Sequence, residues 1–143
     1  MSACVIDANI AVKWFLPSAS EELFGEARDL LDRHKRGEVE FLVPDIFWAE
    51  SGNIFWKAVR YGRCSKADAE GSLAVLKAGR LMTVSSIDLL ETAFTIATAC
   101  SRTFYDSLYV ALAVESRTHL VTADEKLVNA LGARFPVEWL GAL

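Results

Sequence analysis

Short unbroken apolar runs alternate along this chain with longer stretches in which apolar residues recur every three or four positions. The unbroken runs lie in "ACVIDAN", "EFLVPD", "LMTVSS", "HLVTAD" and "PVEWL", and continuous hydrophobicity marks strands buried on both faces. Between them the spacing is helical. In "EELFGEARDLLDRHKR", Leu23, Ala27, Leu30 and Leu31 fall on one face; Ser18 and Glu21 have capping-box spacing, and Gly37 can end the helix. The pattern from Asp45 to Tyr61 predicts a second helix, with Pro44 near its start and Gly62 after its end. Ser65 with Asp68 opens a third, running to about Lys77. "IDLLETAFTIATACS" and "YDSLYVALAVESR" predict two more, separated near Arg102 and Thr103, and "EKLVNALG" a short one stopped at Gly132. Strands alternating with helices, and no tight Asn-Gly or Asp-Gly hairpin, predict an α/β fold with helices on the faces of a parallel sheet. With no internal repeat, low-complexity tract or linker, residues 1–143 are expected to form one domain.

Composition narrows the class. The chain is 52% hydrophobic, yet charges interrupt every apolar stretch before it could cross a bilayer, so no membrane partner is expected. No basic region precedes an apolar core at the N-terminus, so no secretory signal is read and a cytoplasmic location is expected. Cys4, Cys64 and Cys100 are odd in number and widely spaced. They suit small buried thiols in a reducing compartment better than a disulfide framework or a zinc site. The net charge of −4 argues against a protein that coats nucleic acid electrostatically. It leaves room for an enzyme that meets nucleic acid through metal ions or one basic surface.

Four acids change the picture. Asp7 ends the first strand, Asp124 lies just past the fourth, Glu50 sits early in the helix after the second, and Asp106 opens "YDSLYVALA". Parallel α/β sheets bind ligands at the carboxyl ends of their strands, where the following helices begin, so all four can face one cleft. Glu21, Glu22, Asp29 and Asp32 instead fall on a solvated helix face. Each of the four also has an ordinary reading: Asp7 as a turn former, Asp106 and Asp124 as helix-start acids favoured by the dipole. Glu50, amid "DIFWAESGNIFW", is harder to explain that way. At an effective dielectric near 20, two carboxylates ~4 Å apart repel by roughly 4 kcal/mol. A hard divalent cation with oxygen preference, Mg²⁺ or Mn²⁺, reverses that sign and can activate water toward a phosphate. With only two histidines, His34 and His119, a histidine-based nuclease or zinc hydrolase is poorly supplied. His34 reads as exposed and His119 as a strand-edge residue.

At these residues the chain resembles PIN-domain proteins, and most of all the VapC-type ribonuclease toxins of type II toxin–antitoxin pairs. The segments are "VIDANIAVKWFL", "PDIFWAESGNIFWKAVRYGR", "FYDSLYVALA" and "LVTADEKL", in the family's order and spanning nearly the whole chain. The resemblance implies a PIN-like three-layer α/β/α sandwich around a central, mostly parallel sheet of four or five strands. It implies a Mg²⁺- or Mn²⁺-dependent endoribonuclease, with Asp7, Glu50, Asp106 and Asp124 as the catalytic, metal-holding quartet. Asn9 and Thr122 match polar positions that support the metal site, and Asn53 completes a Glu-x-x-Asn pattern with Glu50. One turn apart, Glu50 and Asn53 can share a helix face. Ser107, beside Asp106, is not assigned a role. A metal-activated water would attack the phosphodiester without a covalent nucleophile. Implied partners are an RNA substrate, a cognate antitoxin and a second copy in a homodimer.

Basic and aromatic clusters suggest surfaces. Lys57, Arg60, Arg63 and Lys66 follow the Glu50 helix, and the first three are candidates for RNA contact. A solvated helix end suits the same cations, and Arg28, Arg33, Lys35 and Arg36, interleaved with acids, read as solvent-facing. Trp14, Phe15, Phe47, Trp48, Phe55 and Trp56 exceed what one helix face needs for packing, so part of them could form a groove for another chain. Rival functions lack their residues. A receiver domain wants a second acid beside Asp7 and an acceptor aspartate in "LMTVSS"; a dehalogenase-like phosphatase wants an aspartate where Asn9 stands. A nucleotide-binding module wants a glycine-rich loop. The alternative that stays open is a PIN-like domain that binds RNA or protein without turnover.

Overall fold

The structure is a computed structural model that describes residues 2–16 and 22–143. Five strands, β1 (Ser2–Ile6), β2 (Val39–Pro44), β3 (Met82–Val84), β4 (His119–Thr122) and β5 (Val137–Trp139), form one sheet in the order β3-β2-β1-β4-β5. Every pairing is parallel. Among the described residues seven α-helices connect them: α1 (Ala8–Lys13), α2 (Phe24–Lys35), α3 (Ile46–Arg60), α4 (Lys66–Lys77), α5 (Ser86–Cys100), α6 (Phe104–Glu115) and α7 (Glu125–Leu131). The sheet grows outward from β1 in both directions. Right-handed crossovers therefore put the α1–α4 connections on one face and the α5–α6 connection on the other. Helix α6 lies across β1, β2 and β4 with α5 packed on it, while α2 packs on β2. This is the three-layer α/β/α arrangement expected from the sequence, with all five strands parallel.

The apolar runs become the core because they are covered on both sides. Val5, Ile6, Phe41, Val43, Leu120 and Val121 are buried in the three central strands. Residues 107–113 of α6 are all buried, because this helix is sandwiched between the sheet and α5. A smaller cluster of Val12, Leu16, Phe55, Ala58 and Ala69 ties α1, α3 and α4 together.

Two glycines set helix ends. Gly37 and Gly62 adopt positive φ, 76° and 73°, a region open to glycine at no steric cost. At Gly62 the amide bonds Val59 O and the Arg63 amide bonds Ala58 O, at 3.1 and 2.8 Å. That is a Schellman turn, and it folds Arg63 back alongside α3. Ser65 caps α4 by accepting from the Asp68 amide at 3.0 Å, as its spacing predicts.

Some elements differ from the sequence reading. The first strand stops at Ile6 instead of running through Asn9, and Asp7 caps an unexpected short helix, α1. Helix α2 begins at Phe24, after Leu23 in a left-handed conformation, later than the predicted start. The Ser18–Glu21 capping pair lies outside the described residues. His34 is half-buried, not exposed: its ring stacks on Phe41 at 4.4 Å, and its two nitrogens contact Val39 O and Gly79 O. Of the aromatic surplus, Phe47 and Phe55 are core, Trp14, Phe15 and Trp48 are half-buried, and Trp56 is exposed beneath Arg60. All three cysteines are free, and only Cys4 is fully buried. No helix among the described residues is long and apolar enough to cross a membrane.

Candidate metal centre

The chain turns away from β1 toward β2 and away from β4 toward β5, so a crevice opens between the carboxyl ends of β1 and β4. Ile6 pairs with Val121 in the sheet, which sets Asp7 and Thr122 side by side one residue further on. The Thr122 hydroxyl donates to Asp7 Oδ2 and accepts from the Asp124 amide, the latter at 3.0 Å. Asp7 Oδ1 accepts from the Ile10 amide at 3.1 Å, capping α1. Asp124 Oδ1 accepts from the Lys126 and Leu127 amides at 3.0 and 3.3 Å, capping α7. One buried hydroxyl thus bridges two aspartates that each start a helix.

Burial pushes the Asp7 carboxyl up, to about 6, with the negative charges of Glu50 and Asp124 adding to the rise; Thr122 and the Ile10 amide pull the other way. The folded chain therefore holds this proton more tightly than the unfolded chain, whose aspartate titrates at its ordinary 3.8. The Asp7 contribution to stability is fully present below that lower value and is lost as pH rises through about 6, by about 3 kcal/mol. In EDTA, urea melts taken between pH 4 and 7 are expected to show this fall. Replacing Asp7 by asparagine should flatten it.

The other two acids arrive on helices. Helix α3 is anchored at its start by Asp45, whose carboxylate accepts from the Ser86 amide and hydroxyl at 3.0 and 3.2 Å. One turn on, Glu50 Oε1 accepts from the Tyr109 hydroxyl at 2.6 Å. Tyr109 is buried, and burial together with Glu50 raises its phenol well above the usual range, so it stays protonated and donates. Thr103 caps α6 by accepting from the Asp106 amide at 3.1 Å. Asp106 Oδ2 meets Arg102 at 3.4 Å, in a half-exposed ion pair one turn apart. Ser107 is buried and donates to Thr103 O at 2.9 Å, a bond internal to the helix start.

Asp7, Asn9, Glu50, Asn53, Asp106, Thr122 and Asp124 line one cavity of about 240 Å³, with Tyr109 and Ile54 in its wall. All seven residues singled out in the sequence as catalytic or supporting meet there. Lys57 and Arg60 sit exposed on the last turn of α3 and line none of the cavities described. Arg63 lines the neighbouring cavity. Two residues at this site were not picked out: Tyr109, whose only sequence signal is its place three residues after Asp106, and Arg102, four residues before it.

The donor set tests what such a cavity would hold. Its charged groups are carboxylates flanked by amide and hydroxyl oxygens, a hard all-oxygen set suited to Mg²⁺ or Mn²⁺ and unsuited to a thiolate- or imidazole-seeking ion. Among the described residues no three His, Cys, Asp or Glu side chains are gathered tightly enough to hold an ion by themselves. The chemistry of the donors fits; the closing of the shell would come with the ion.

A PIN-domain family model matches residues 4–131. No curated protein matches the chain. Among solved structures, the chain is similar to PAE2754 from Pyrobaculum aerophilum at 22% identity and TM-score 0.70, over 99% of this chain and 92% of that one. It is similar to VapBC2 from Rickettsia felis, solved bound to a DNA fragment from the promoter, at 16% identity and TM-score 0.66, over 96% and 98%. Mycobacterium tuberculosis VapC20, described as a sarcin–ricin loop cleaving toxin, aligns at 13% identity and TM-score 0.65, over 92% and 95%.

Proposed function

The chain belongs to the PIN-domain family, and from that premise we propose that it is a divalent-metal-dependent endoribonuclease acting as the toxin of a toxin–antitoxin pair. One observation supports this above the rest: four carboxylates from four separate elements line a single cavity at the strand ends. A fold without catalytic purpose gains nothing from that gathering, which costs electrostatic energy. A Mg²⁺ or Mn²⁺ ion held there by Asp7, Glu50, Asp106 and Asp124 would supply an activated water and offset charge on the phosphate.

The surrounding residues keep those acids in place. Thr122 holds the Asp7 carboxylate through one oxygen, and the Tyr109 hydroxyl holds one oxygen of Glu50. Arg102 partly offsets Asp106 at the rim. The Asn9 and Asn53 amides on the wall can donate to phosphate or ribose oxygens. The similarity to VapBC2 and to VapC20, described as a loop-cleaving toxin, favours the toxin reading. Ile87, Leu90 and Phe94 leave an exposed apolar stripe on α5, which favours a second copy or an antitoxin as protein partner.

The test is cleavage of a structured RNA by the purified chain. Cutting is expected with Mg²⁺ or Mn²⁺, to stop on adding EDTA, and to return when excess metal is restored. The same ions should raise the melting temperature more at pH 7 than at pH 5, because they bind the ionised form of Asp7. RNA binding with no cutting under any divalent ion would replace this reading with a non-catalytic one.

A further inference from the structure

Resting on the nuclease reading above, we propose that Lys13 and Arg63 form a subsite for an RNA backbone phosphate next to the one that is cut. The two cations line a cavity of about 390 Å³ that shares Asn9, Ile54 and Asp124 with the acidic cavity. The two hollows therefore adjoin, one walled by carboxylates, the other by an ammonium and a guanidinium.

Local structure explains why the cations stand there. Lys13 ends the same short helix that Asp7 begins, about 9 Å along its axis at 1.5 Å per residue. Its distance from the acids is thus set by one rigid element. Lys13 is only 8% exposed, so its long side chain is held rather than waving in solvent. Arg63 comes from a different direction. The Schellman turn at Gly62 folds it back along α3 and onto this wall, whereas Lys57 and Arg60, about two turns and one turn earlier on that helix, stay outside.

Charge gives the pair its use. A cavity holding four carboxylates repels a polyanion even after one ion has bound, so a strand crossing it needs cationic footing immediately beside it. A lysine and an arginine at one wall offer a point charge and a planar fork, the two usual ways of holding a phosphate. Neither Lys13 nor Arg63 is free: each takes part in interactions within the chain, with which an incoming phosphate must compete.

The experiment uses the full chain and a fluorescein-labelled structured RNA that it cuts. Binding is followed by anisotropy in EDTA across a salt series, and cleavage kinetics are measured in Mn²⁺. Lys13→Gln and Arg63→Gln are each expected to weaken binding about tenfold and to lower the salt slope by about 1. KM should rise with kcat nearly kept, and the melting shift produced by Mn²⁺ should not change. Arg63→Glu should bind more weakly still, and Arg36→Gln, an exposed cation just before β2 at the amino-terminal end of the strands, should alter nothing. Arg63 is exposed, so its variants keep the proposal testable if Lys13→Gln does not fold. An Arg63→Gln protein with unchanged salt slope and KM overturns the subsite while wild-type cleavage leaves the nuclease reading standing. A wild-type chain that neither binds nor cuts RNA overturns both.

Discussion

Replacing Asp7 by asparagine is expected to cut RNA cleavage by about 10³-fold or more while leaving the metal-free fold at least as stable. A bound divalent ion supplies several kcal/mol of charge stabilisation, and each 1.36 kcal/mol is about a factor of ten in rate. Asp7 is the acid most tightly built into the framework, accepting from Ile10 on one oxygen and Thr122 on the other. Asparagine keeps an acceptor for the Ile10 amide and is a good helix cap. It also removes a buried charge that Glu50 and Asp124 oppose. At pH 7.5 in EDTA the variant should therefore melt no lower than wild type, and the Mn²⁺-induced rise in melting temperature should shrink. Loss of activity with an intact fold identifies a chemical role. Cleavage equal to wild type would mean that the reaction takes place elsewhere.

The largest effect on stability is expected at Phe41. This side chain is fully buried in β2, stacked with Trp14 at 5.6 Å and with His34 at 4.4 Å. It also borders a largely apolar hollow of about 450 Å³ between α2 and α4. Phe41→Ala would enlarge a space that already exists, so the surroundings cannot close over the loss. A cost of about 3–5 kcal/mol is expected, lowering the melting temperature by roughly 10–20 °C. Thermal denaturation at neutral pH measures it. A shift of only a few degrees would show that Trp14 and His34 collapse into the gap.

Much of this architecture was legible because its signals are local. Each central strand is a continuous apolar run. Asp7 and Asp124 sit within two residues of a strand end, Glu50 in the second turn of the helix after β2, and Asp106 in the first turn of α6, which follows α5. The parallel order then brings them together. Helix α1 escaped notice because five of its six residues are buried, so it shows no polar face and reads as a continuation of the strand. Tyr109 escaped for a related reason. It looks like another apolar member of a buried helix, and its partner Glu50 lies 59 residues away. The basic residues after α3 were visible as a cluster, but only the backward turn at Gly62 separates Arg63 from its neighbours. His34 looked exposed because a polar residue near a helix end usually is; a ring platform from a strand cannot be read from helical spacing.

The hydrogen bonds already made by the acids bear on ion preference. Asp7 uses both oxygens internally, Asp124 caps two amides with one, and Glu50 has one oxygen tied to a phenol. With Asp106 Oδ2 paired to Arg102 as well, fewer carboxylate oxygens are left without an internal partner than the roughly six to eight ligands a large cation seeks. A small ion that keeps much of its hydration sphere would suit such a half-committed set, and on the nuclease reading proposed above that water would supply the reagent for hydrolysis.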